Sequence, residues 1–267
     1  MTVSMMVIED HFEERSLPRW VRYTVGAAAI EQGASSLRFV VEGATPEVYA
    51  DAQIDDYHGL SRKHLPWRPP LRLTVRARAS HSAGALLGTA GFGFWNDPFT
   101  LSGGMLAAPN AIWFFYASPP SNMALAPPVP GWGWKAAILN SGTLPGWLLA
   151  PAALAGAALL KLPGVNRLLR PWVRAAVKAG ERLLDVDLRE WHTYALEWRH
   201  DEAAFWVDEA EVLRVSHPPR GPLGFVAWLD NQYAVATLEG DFRFGLLAVP
   251  QRQWLELDYV CIEGTDC

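Results

Sequence analysis

The chain has 267 residues, 50% hydrophobic and 19% charged, which excludes a disordered tail and suffices for a sizeable core. A net charge of −5 argues against nucleic-acid capture by bulk positive charge, so no nucleic-acid partner is expected. The two cysteines, Cys261 and Cys267, are too few to staple a fold of this size and have no metal-ligating company, so a reducing compartment is expected.

The chain starts Met1-Thr-Val-Ser-Met-Met-Val-Ile, without a basic n-region or a long apolar h-region. The expectation is a cytoplasmic protein, at most peripheral to a membrane. Up to about residue 135 the pattern is strands and turns. Ser36–Glu42 is a short β-branched run. Leu71–Ala79 alternates strictly, with Leu71, Leu73, Val75, Ala77 and Ala79 on one face and Arg72, Thr74, Arg76 and Arg78 on the other. Period 2 over nine residues predicts a strand with one buried face. Gly88–Trp95 and Ala111–Ala117 are further aromatic-rich strands, ended by Asn-Asp-Pro and Ser-Pro-Pro.

Between about 145 and 184 strand signals vanish and Ala and Leu dominate, broken by Pro163-Gly164. Arg167, Arg170, Arg174, Lys178 and Arg182 share one arc of a helical wheel, opposite Leu169, Trp172, Ala176 and Leu183. The segment carries six Lys/Arg and one Glu, so the rest of the chain holds −10. Two helices are expected here. One reading is a lid over the β domain. The other is an interfacial pair, with Trp147, Arg167, Arg170, Trp172, Arg174 and Lys178 as membrane or partner contacts. The apolar stretch Trp147–Leu160 is shorter than a spanning helix needs.

β character returns with Trp191–Trp198. Ala203–Asp208 and Glu211–Val215 flank a short acidic turn and read as a hairpin. Leu223–Leu229 and Trp254–Glu263 complete the series. The expected fold is all-β: a sandwich of two antiparallel sheets, one domain over 1–267, with a two-helix insertion at 145–184.

Two C-terminal stretches carry a family resemblance. Trp191-His-Thr-Tyr-Ala-Leu-Glu-Trp-Arg-His200 followed by Ala204-Phe-Trp-Val-Asp-Glu209 resembles the F/W-H-T-Y-x-x-x-W … x-x-W-x-V-D-G signature of family-16 glycoside hydrolases. Leu257-Asp-Tyr-Val-Cys-Ile-Glu263 is similar to their closing V-D-Y-V-R-V-Y strand. Phe12–Trp20, Tyr49–Ile54 and Val75–Ala79 fit the family's order more weakly. The resemblance covers most of the chain outside 145–184. It implies a concanavalin A-like jelly roll of the lectin–glucanase superfamily, with a carbohydrate groove on a concave sheet. Retaining family members carry E-x-D-x-x-E on a central strand, and the strand at that point in the order here is Ile112-Trp-Phe-Phe-Tyr-Ala-Ser118, without a carboxylate in any register. The resemblance therefore supports the fold and speaks against the family's hydrolytic mechanism.

Two clusters stand out as binding candidates. Trp95, Asn96 and Asp97 end one strand; Trp228, Asp230, Asn231 and Gln232 end another. Indole faces stack on sugars, while amides and carboxylates bind hydroxyls. The competing reading is core tryptophans and turn polar residues. Gln53, Asp55, Asp56 and Tyr57 form a weaker third cluster. Asp97 and Asp230 are weak catalytic candidates, a pair only if they meet across a groove. No metal or cofactor motif is present, and His192 is expected to pack in the core. The leading expectation is a glycan- or glycolipid-binding protein, possible peripheral membrane contact included. The alternatives are a glycosidase or lyase with a displaced acid/base pair, and a protein-interaction scaffold.

Overall fold

The computed structural model describes residues 7–13, 17, 19–98, 107, 109–123, 128–142, 178–236 and 242–264. In chain order the strands are β1 (Val7–Asp10), β2 (Val21–Val25), β3 (Ala28–Gln32), β4 (Leu37–Val41), β5 (Asp51–Asp55), β6 (Leu71–Ala79), β7 (Thr89–Trp95), β8 (Asn110–Ala117) and β9 (Gly133–Asn140). They continue with β10 (Lys178–Leu183), β11 (His192–Trp198), β12 (Glu202–Val207), β13 (Ala210–Ser216), β14 (Gly224–Asp230), β15 (Gln232–Ala236), β16 (Phe242–Leu246) and β17 (Gln253–Gly264). One 3-10 turn spans Arg62–His64.

Two antiparallel sheets result. The eight-stranded sheet runs β13-β12-β11-β6-β17-β4-β3, with β1 also paired to β17; the seven-stranded sheet runs β10-β9-β8-β7-β14-β5-β2. A β15–β16 hairpin stands apart. Alternation decides what each sheet buries. Leu71, Leu73, Val75, Ala77 and Ala79 of β6 face Phe92, Phe94, Phe114, Trp134 and Phe225 of the other sheet across one apolar core. Burying an aromatic or branched side chain there contributes about 1.5–3 kcal/mol each. The opposite face of β6 sends Arg72, Arg76 and Arg78 outward onto the rings of Trp206, Trp191 and Trp254. Three of the thirteen tryptophans are thereby accounted for by cation–π stacking on an outer face.

The hairpin expected near 208 is present. Asp208 and Glu209 both take positive φ, 48° and 69°, as a two-residue turn between β12 and β13 requires. His192 is not a core residue: its Nδ1 lies 2.6 Å from Asp208 Oδ2, so it ties β11 to that turn.

Most of the helical insertion expected at 145–184, including Trp147, Arg167, Arg170, Trp172 and Arg174, lies outside the described residues. Its end is described and is not helical. Lys178–Leu183 is β10, paired along its length with β9. A spacing of four places Lys178 and Arg182 on one face of a helix and equally on one face of a strand, so the wheel could not discriminate there. Gly180, a poor helix former, suits the strand: a Cβ on it would stand 2.6 Å from Val215 Cγ1 of β13. Lys178 is exposed at the strand's start, and its proposed place on a membrane-contacting helix is removed. No helix among the described residues is long and apolar enough to cross a membrane.

Candidate functional site

The outer face of the seven-stranded sheet is read directly from register. One row across it is Tyr23, Gln53, Trp228, Gly91, Phe115, Lys135 and Leu183, taken from β2, β5, β14, β7, β8, β9 and β10. The next row is Val21, Asp55, Val226, Gly93, Trp113, Ala137 and Glu181. In both rows the central strand β7 contributes glycine. A Cβ at Gly91 would stand 2.9 Å from Trp228 Cη2, and one at Gly93 would stand 2.5 Å from Trp113 Cβ. The two glycines let rings from the flanking strands lean over β7. Trp113 and Trp228, two strands apart, have ring centroids 5.4 Å apart, and Trp113 stacks on Phe115 at 5.3 Å with 19° between planes. Trp95 joins Trp113 at 6.1 Å. With Tyr57, Leu65 and Val226 these residues form a second apolar cluster, separate from the core.

The positions facing outward on β8 are therefore Ala111, Trp113, Phe115 and Ala117. This is the strand on which the resemblance implies the catalytic acids, and aromatic rings occupy the central positions instead. Ile112-Trp-Phe-Phe-Tyr116 is apolar or aromatic at every position, so no alternation marks Trp113 and Phe115 as outward-facing, and nothing local singles them out as binding residues.

The carboxylates on this face lie on other strands. Glu181 is on β10, Asp51 and Asp55 flank Gln53 on β5, and Asp230 on β14 stands directly opposite Asp51. Facing residues of an antiparallel pair have Cα atoms about 4.5–5.5 Å apart. Both are buried, Asp51 at 1% exposure and Asp230 at 4%. Burial pushes the Asp51 carboxyl well above its ordinary range, and the facing Asp230 pushes it the same way. Burial also raises Asp230, to about 6, against the pull of its hydrogen bonds. Asp230 Oδ1 accepts from Thr89 N, Thr89 Oγ1 and Gln232 N at 3.1, 2.8 and 2.9 Å. Thr89 Oγ1 in turn accepts from Trp228 Nε1 at 3.0 Å, so the same network anchors the Trp228 indole.

Asp97 and Asp230 do not meet. Trp95 is opposite Gly224 and Thr89 opposite Asp230, so six residues of strand, about 20 Å, separate the two ends. Asp97 is fully buried at φ 44°, just past β7. As a catalytic pair these two residues are excluded by position.

The amides are likewise engaged by the scaffold. Asn231 is fully buried; its oxygen accepts from Ala50 N at 2.9 Å, and its amide nitrogen donates to the carbonyls of Val48 and Leu247 at 3.1 and 3.0 Å. Asn96 Oδ1 accepts from Asn110 N at 2.9 Å. Gln232 is exposed at the start of β15. Of the third cluster, Gln53 donates to Asp55 Oδ2 at 2.9 Å, and Tyr57 OH accepts from Trp95 Nε1 at 2.6 Å. Asp56 turns toward the other side, where Trp67 Nε1 at 2.5 Å and Phe225 N at 2.8 Å donate to it. No group of three or more potential metal ligands occurs among the described residues.

No family model matches the sequence, and no curated protein sequence matches it. Solved structures do match. The Bacillus licheniformis β-glucanase superposes with a TM-score of 0.52 at 9% identity, over 97% of this chain and 98% of that one. A β-1,3-1,4-glucanase (lichenase) derived from a mouse hindgut metagenome gives 0.54 at 13%, over 96% and 98%. Rv0315, described as an immunostimulatory antigen and pseudo β-1,3-glucanase of Mycobacterium tuberculosis, gives 0.52 at 12%, over 97% and 98%. The fold is thus the two-sheet β-sandwich of glucanases of the family-16 type.

Proposed function

We propose that this protein binds a carbohydrate or glycoconjugate on the outer face of the seven-stranded sheet and does not cleave it by the glucanase mechanism. The observation that carries this reading is the occupancy of β8: Trp113 and Phe115 fill the outward positions of the strand where the resemblance implies a nucleophile and an acid. Ring faces stack on the apolar faces of sugars but supply neither a leaving-group proton nor a nucleophile. Trp95 extends the platform, Trp228 packs beneath it from β14, and Tyr23 borders it with a hydroxyl able to bind those of a sugar. The fold neighbours support a glycan as the ligand, since they are described as glucanases or, in one case, as a pseudo β-1,3-glucanase.

Isothermal titration with laminari- and lichenan-derived oligosaccharides tests this. Binding is expected to weaken at least tenfold, about 1.4 kcal/mol, on Trp113→Ala. Absence of binding by the parent protein across neutral and charged oligosaccharides, or unchanged affinity in the variant, refutes it.

One observation favours a second reading, a glycosidase with a displaced acid pair: two carboxylates, Asp51 and Asp230, stand directly opposite each other on adjacent strands of this face. Against it, both side chains are nearly inaccessible, and one Asp230 oxygen already accepts three hydrogen bonds. Hydrolysis that disappears in Asp51→Asn would establish this second reading.

A further inference from the structure

The residues beside the aromatic floor narrow the class of glycan. From Tyr57 to Arg72 the sequence holds Arg62, Lys63, Arg68 and Arg72 together with His58 and His64, and no Asp or Glu. The first part of this stretch folds against the floor. Leu65 packs with Tyr57, Val226 and Trp228. Arg62 donates from Nε and Nη2 to the main-chain oxygen of Asp97, at 3.1 and 2.6 Å, two residues beyond Trp95. The turn Arg62–His64 therefore sits at the Trp95 end of the platform, with Lys63 and His64 exposed. His58 lies on the same side, its ring 6.1 Å from that of Tyr23.

The carboxylates near this end do not cancel that charge at the surface. Asp55 and Asp97 are fully buried and Asp56 is 9% exposed. Asp55 accepts from the backbone of Tyr57 and His58 at 3.1 and 2.7 Å, with the His58 ring 3.9 Å away. Asp56 faces Arg19 at 3.7 Å. What solvent meets at the end of the platform is the Lys63 ammonium with the imidazoles of His58 and His64, in a chain whose net charge is −5.

We propose that the platform takes an anionic glycan, whose sugar faces lie on Trp113 and Phe115 while its carboxylate or sulfate substituents pair with Lys63, His64 and His58. This rests on the glycan-binding reading above and adds the sign of the ligand's charge. Aromatic contact supplies the apolar part of recognition, and exposed cations supply a salt-dependent part that neutral glucans cannot use.

The test compares three oligosaccharides of equal length by isothermal titration: an oligogalacturonate, a sulfated galactan fragment and a neutral laminari-oligosaccharide. At low salt one of the anionic ligands is expected to bind at least tenfold more tightly than the neutral one, and that advantage is expected to shrink as salt rises to about 0.15 M, where the screening length is about 8 Å. Lys63→Glu is expected to cut the anionic-to-neutral affinity ratio at least fivefold. The two anionic arms tell carboxylate from sulfate. Neutral binding with no anionic advantage, or an advantage untouched by Lys63→Glu, overturns this inference and leaves the glycan-binding reading standing. Failure of all three ligands removes both.

Discussion

Replacing Lys135 by methionine probes the edge of the site and the strand that sequence patterning read as helix. Lys135 of β9 and Glu181 of β10 form an ion pair at 2.9 Å, with side chains 3% and 1% exposed. The ammonium also donates to the Pro130 carbonyl. Taking away the cation breaks a buried ion pair, a loss of about 3–5 kcal/mol. For a chain of this size 1 kcal/mol corresponds to roughly 2–4 °C, so Lys135→Met should lower the melting temperature by roughly 6–20 °C. Removing both charges should recover most of that loss, because two apolar side chains of similar volume are about neutral against a buried pair. Urea denaturation of Lys135→Met, Glu181→Met and the double variant gives the coupling energy directly. A coupling below about 1 kcal/mol would mean that the two side chains do not meet in the dry interior. β10 would then not pair with β9 in the register Glu181 opposite Ala137.

Two further outcomes follow from buried carboxylates. Asp230, raised to about 6 in the fold, holds its proton more tightly there than in the unfolded chain, so its contribution to stability is largest below about pH 4 and is lost as pH rises towards 6. Asp230→Asn keeps an acceptor for Thr89 and Gln232 but cannot ionise; melting curves from pH 4 to 7 should show it gaining on the parent as pH rises, and a constant difference would refute the assignment. Asp10 accepts from Phe12 N, Leu17 N and Trp20 Nε1, each at 2.8 Å. Asp10→Ala should cost about 3 kcal/mol or more in urea denaturation by stranding those donors, and a loss under about 1 kcal/mol would show them to be water-satisfied.

Most of the sheet architecture was legible because the strands alternate. Leu71–Ala79 buries its apolar face as written, and the expected hairpin is present, its turn at Asp208-Glu209 falling one residue earlier than strands over Ala203–Asp208 and Glu211–Val215 put it. The site was less legible, because its residues come together through register rather than neighbourhood. Nothing local in the sequence says that Tyr23, Gln53, Trp228 and Phe115 share a row, or that Gly91 is small so that an indole from the next strand can lie over it. Polar residues at strand ends, such as Asn96 and Asn231, looked like ligand groups and instead cap loops, since a buried turn needs the same amides to satisfy its backbone. The missing acid pattern on β8 was the informative departure; that tryptophan and phenylalanine replace it as a paved surface required the fold.

The central claim is that this sheet holds sugars without cutting them in the glucanase manner. Its most direct test is prolonged incubation of stoichiometric pure protein with an oligosaccharide it binds, followed by quantitation of new reducing ends and chain lengths. Intact ligand should be recovered, with binding that weakens in Trp113→Ala. Cleavage that scales with protein and vanishes in Asp51→Asn would contradict it.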